Sequence, residues 1–73
     1  MSQTINTGIQ ELDTVVLTRN MPHQHLKQGH QGAVVHCYQG GKAFEVEFLD
    51  AEGNTIALLT LTVADIRKLN PSI

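Results

Sequence analysis

"KAFEVEFLD", Lys42 to Asp50, is the stretch that decides the fold. Phe44, Val46 and Phe48 alternate with Glu45 and Glu47. In an extended chain this period of two sends the three apolar side chains to one face and both carboxylates to the other. A helix would scatter them, because residues two apart on a helix do not share a side. The segment therefore reads as a half-buried strand, with one face on a core and one toward water.

Upstream, "AVVHCYQ" (Ala33 to Gln39) ends at Gly40-Gly41. That pair suits a tight hairpin, since both central residues of a type I′ turn need positive φ. Downstream, "DAEGNT" supplies Asp50, Gly53 and Asn54 for a second hairpin. The run that follows, "TIALLTLTV" (Thr55 to Val63), has five β-branched residues among nine, which favours a strand over a helix. Ala57, Leu59, Leu61 and Val63 share one face, while Ile56 and Leu58 take the opposite one. A strand apolar on both faces is usually covered on both.

A further β-branched run, "LDTVVLTR" (Leu12 to Arg19), opens the ordered chain. It is separated from the next strand by "NMPHQHLKQGHQG" (Asn20 to Gly32), which is polar and irregular enough to be a long loop. After Val63, "ADIRKLN" reads as a single helical turn that leads into, or overlaps, a short closing strand. Ile66 and Leu69 lie three apart there, with Pro71 marking the end. Residues 1–10 offer only Ile5 and Ile9 as apolar anchors, so they read as a tail or a short covering segment beside a domain over residues 11–73.

Composition narrows the function. At 73 residues the chain has room for one domain with a thin core. Charged residues are 16%, against roughly 25% in ordinary soluble domains. Much of the surface must then be uncharged polar groups, or apolar groups that a partner covers. Net charge is −2, the wrong sign for a protein that holds phosphate backbones. Cys37 has no second cysteine to pair with, the start "MSQTINTGIQ" lacks a secretory pattern, and no apolar run approaches membrane length. A cytoplasmic protein without a membrane partner is the expectation.

The chemistry-bearing side chains do not assemble into a site. His23, His25 and His30 share the long loop, but no cysteine pair, no HExxH and no carboxylate between Asn20 and Gln39 accompanies them, so no metal is expected. His36 and Cys37 are adjacent on a strand, point to opposite faces and cannot act as base and nucleophile. The serines, Ser2 and Ser72, stand near the two ends. Glu45 and Glu47 read as a solvated strand face. These features predict no catalytic residue, no cofactor and no small-molecule substrate.

Strand, long loop, three strands joined by hairpins, helical turn and final strand is an order that resembles an SH3-like barrel. The resemblance implies an all-β fold: a small five-stranded barrel with one helical turn before the last strand. Gly29-x-x-Gly32-x-Val34-x-x-Cys37 is similar to the glycine and valine spacing of KOW-type barrels, where glycines allow the sharp entry into the second strand. From Glu11 to Leu69, through "ELDTVVLTRNMP", "LKQGHQGAVVHCY", "AFEVEFLD" and "LLTLTVADIRKL", the chain resembles a family of small single-domain bacterial proteins of unknown function. That likeness implies the barrel and no activity; about ten residues before Glu11 extend beyond the family's usual start.

The leading expectation is thus a non-enzymatic protein-interaction module, self-associating through Ile56 and Leu58 of the fourth strand. The loop would add Met21, His23, His25, Leu26 and Lys27 to the contact surface. Cover by Ile5 and Ile9 of the same chain is the plain alternative for the strand face. Two other readings stand behind it. One is a KOW-like RNA- or DNA-associated barrel using Arg19, Lys27, Lys42, Arg67 and Lys68, which the net charge and the three aromatic residues disfavour. The other is an accessory or antitoxin-like subunit of a neighbouring gene product.

Overall fold

The computed structural model describes residues 8–69. They form five strands: β1 (Thr14–Leu17), β2 (Gln31–Cys37), β3 (Phe44–Leu49), β4 (Thr55–Leu61) and β5 (Ile66–Lys68). All pairings are antiparallel and make one sheet in the order β4-β3-β2-β1-β5. The chain meanders from β1 to β4, then returns so that its last strand pairs with its first. Apart from short 3-10 turns at Pro22–Gln24 and Gln39–Gly41, the described residues contain no helix. The fold is all-β and five-stranded, as expected.

Alternation in β3 places the core. Phe44, Val46 and Phe48 are fully buried, and Val15, Leu17, Leu26, Val34, Leu61 and Ile66 complete the cluster. No polar or charged residue among those described is buried with them. Ile9 packs against this cluster and Lys68 Nζ donates to the Gly8 carbonyl at 3.1 Å, so the described end of the N-terminal segment lies on the domain. Ile5 falls outside the described residues.

Gly32 sits within β2, paired with Val15 on one side and Phe48 on the other. It was expected in the turn that feeds this strand, and its role is different. A Cβ there would stand 2.8 Å from Phe48 Cδ1, Phe48 Cε1 and Val46 Cγ1, closer than atoms can approach. The turn itself belongs to Gly29, at φ +90°.

Three local expectations need correction. The Gly40-Gly41 connection is wider than a two-residue hairpin: both glycines have positive φ, but they lie in a 3-10 turn, and Tyr38 N–H donates to the Ala43 carbonyl across it. The helical turn assigned to "ADIRKLN" is a hydrogen-bonded turn at residues 62–65, where Asp65 N–H donates to the Thr62 carbonyl, and Ile66–Lys68 is strand. β4 ends at Leu61, which leaves Val63 exposed in that turn.

Two bulges bend the sheet. Val34 pairs with Val46 and His36 with Glu45, so Val35 is an extra residue on β2; Phe48 pairs with Ala57 and Leu49 with Thr55, so Ile56 is an extra residue on β4. Each bulge tightens the local twist, which helps a small sheet curl over its own core.

The close approach at Gly32 predicts that Gly32→Ala lowers stability by about 1–3 kcal/mol through overpacking. Gly53→Ala meets open space but keeps a φ of +89°, so it should cost about 1–2 kcal/mol through backbone strain alone. Urea unfolding of both variants checks the two losses.

Candidate functional site

The sequence nominates two surfaces, and each is built by different elements. On the first, β3 and β4 present their outer sides. Glu45 faces Thr60 and Glu47 faces Leu58 across the ladder, while Leu49 pairs with Thr55 beyond the bulge. Thr60 Oγ1 donates to Glu45 Oε1 and Thr55 Oγ1 donates to Glu47 Oε2, so both carboxylates are drawn down onto the sheet. They are half-buried, a tighter setting than the solvated face expected of them.

Between and beside these pairs stand the apolar side chains. Ile56 is 45% exposed and Leu58 55%, as the two-sided pattern of the strand requires. Leu49, at 42%, extends the patch and was missed from the sequence. The signal was present: it continues the outward positions of Glu45 and Glu47 by one step. From Thr55 to Leu61 the strand carries no charge.

The second surface is the loop from Asn20 to Gly32. Hydrogen bonds fold it back on itself. Met21 and Leu26 bridge as an antiparallel pair, Gln24 N–H donates to the Met21 carbonyl, and the Asn20 side chain accepts from Gln28 N–H at 2.9 Å. Leu26, expected on the contact surface, is 1% exposed and belongs to the core, and Met21 is half-buried against it. His23, His25 and Lys27 remain exposed. His25 is in the left-handed conformation at φ 60°, where it closes the 3-10 turn. A groove lined by Asn20, Pro22, His25, Leu26 and Lys27 results; none of its lining comes from β4, so the two nominated surfaces are separate.

His30 departs from its loop neighbours. Its ring packs edge-on against Phe48 with centroids 5.8 Å apart, so it is partly buried rather than solvent-facing. Among the described residues, no three histidine, cysteine or acidic side chains converge as metal ligands. His36 stacks edge-on against Tyr38 at 4.6 Å and has Nδ1 3.8 Å from Glu11 Oε2. Cys37 instead packs beside the core, with Sγ 4.0 Å from the Ile9 carbonyl. Burial pushes its thiol up from the ordinary value, assisted by Glu11 and Asp13, which makes it a poorer nucleophile.

Two of the five basic residues face carboxylates. Arg19 Nε reaches Asp65 Oδ1 at 3.0 Å, and Lys68 Nζ lies 3.4 Å from Asp13 Oδ2. Asp65 also ties the end of β1 to the turn before β5: Thr18 N–H donates to its carbonyl at 2.9 Å, and its carboxylate accepts from Thr62 N–H. That amide, with the Arg19 guanidinium in support, holds the Asp65 carboxyl below its usual range. A second turn carboxylate, Asp50, is lowered in the same way by the Asn54, Glu52 and Gly53 amides.

No helix among the described residues is long and apolar enough to cross a membrane. A family model described as a domain of unknown function (DUF4926) matches residues 11–68, nearly the span over which the sequence resemblance runs. No curated protein and no solved structure matches the chain.

Asp65→Asn should cost about 1–2 kcal/mol at pH 7, chiefly through the weakened bond from Thr62, because Arg19 is largely solvent-exposed. A carboxyl whose folded pKa lies below its unfolded value of about 3.9 contributes its full stability above that value and loses it as pH falls through the folded pKa. The gap between wild type and variant therefore closes in acid, as chemical denaturation from pH 7 downward will measure.

Proposed function

The chain belongs to the family described as a domain of unknown function (DUF4926), and from its surface chemistry we propose a non-enzymatic interaction module that self-associates through the outer side of β4. One observation carries this reading: Leu49, Ile56 and Leu58 stand exposed together beside a strand of seven residues without a charge. Apolar clusters of this kind on a small protein indicate a partner's surface.

A second copy is the partner that the charges favour. Each chain carries −2, so two copies meet best where the surface is neutral. β4 lies inside a stretch, Gly53 to Ala64, that carries no charged residue. The exposed tip of the long loop, His23, His25 and Lys27, supplies a second contact surface without Leu26. The return of β5 to β1 supports an SH3-like architecture. A cysteine without a partner in the chain supports a reducing, cytoplasmic setting. Nucleic-acid association is the weaker reading, since Arg19 and Lys68 already face carboxylates.

Size-exclusion with light scattering tests the proposal. Wild type should show a mass at least twice that of one chain, rising with concentration, whereas Leu58→Lys should run as a monomer. Because Leu58 is exposed, that substitution should change monomer stability by only about 0.5 kcal/mol. A wild type that stays monomeric up to its solubility limit would sink the idea.

A further inference from the structure

We infer that two copies join edge to edge, β4 lying antiparallel beside β4 of the second copy across a twofold axis, so that two five-stranded sheets become one. The inference rests on the self-association proposed above and specifies which atoms make it.

β4 is an end strand of the sheet. One side is bonded to β3, and among the described residues nothing pairs with the other. A free edge is a row of unmet backbone donors and acceptors, and soluble proteins blunt such edges by keeping them short or charged. The opposite edge shows both devices. β5 is three residues long, two of them are Arg67 and Lys68, and Lys68 is fastened to Asp13 and to the Gly8 carbonyl. β4 is seven residues long and has neither lysine nor proline nor any charge. Its one irregularity is the bulge at Ile56, which leaves Ala57–Leu61 as a regular run in unbroken register with β3.

The occupant follows from what both faces of that edge need. On the outer face Leu58 is exposed; on the inner face Ala57 and Leu59 touch the core but stay only half-buried. A strand laid alongside must therefore be apolar on both faces to cover them. β3 carries glutamates outward and β5 is cationic, whereas β4 meets the requirement itself. An antiparallel pair of identical strands is also self-complementary, the condition for a closed twofold dimer.

Charge does not oppose the union. Glu45 and Glu47 lie on β3 and are hydrogen-bonded to Thr60 and Thr55. The two β3 strands would stand three strand spacings apart, about 14 Å, beyond the screening length of about 8 Å in physiological salt.

Hydrogen exchange on the wild-type dimer separates this arrangement from a stacking of outer faces. Every second amide of Ala57–Leu61 points away from β3. Edge pairing should slow the exchange of those amides about tenfold or more relative to the same amides in monomeric Leu58→Lys. A dimer in which they exchange as fast as in the monomer overturns edge pairing and leaves self-association standing. A wild type that never dimerises overturns both.

Discussion

Between Gly32 and the side chains of Phe48 and Val46 there is no room for a methyl group. The side chains of Phe48 and Val46 lean over Gly32 into the space that a side chain on β2 would take. Phe48, paired with Gly32, is thereby fully buried in the same core cluster as Leu26. So small a chain has few buried groups to spare. A core of nine side chains, two of them phenylalanines, must be tight everywhere to hold one arrangement. The bulges at Val35 and Ile56 serve the same end, bending the sheet over its contents on either side of β3.

Several charged residues serve as internal ties. Arg19 with Asp65 joins the end of β1 to the turn before β5, and Lys68 with Asp13 secures the β1–β5 edge. Glu45 and Glu47 bind the threonines of β4. Such pairs contribute little individually at a surface. Their placement nevertheless leaves β4 itself without a charge, the carboxylates nearest to it being those of Glu45 and Glu47 on the neighbouring strand. The low charge content of the sequence and the bare outer side of β4 are one property seen at two scales.

The strands were legible because their signal is periodic. Alternation gave β3 its inward and outward residues, and the two-sided pattern of β4 marked Ile56 and Leu58 as outward. The loop was not legible in the same way. Nothing in "NMPHQHLKQG" repeats, and Leu26 is buried where the backbone doubles back to bridge Met21, five residues earlier, an arrangement that leaves no periodic mark. Gly32 was readable as special but not for its reason, since a crowded approach and a turn both call for glycine. The turn at residues 62–65 is set by the Asp65 carboxylate bonding the Thr62 amide, which outweighed the three-residue spacing of Ile66 and Leu69. Leu12 gave no hint of its setting: it is 86% exposed at φ 75°, a conformation leucine seldom adopts.

The bridge between Met21 and Leu26 has a consequence for how such a chain can change over evolutionary time. Both anchors pack on or in the core, and the four residues between them, Pro22 to His25, contribute no buried side chain. Mutations in that tip are insulated from folding, provided the position of His25 accepts a left-handed backbone, as asparagine or glycine would. The fold thus carries a small exchangeable cassette, whose residues can diverge between lineages while the sheet and core beneath stay the same.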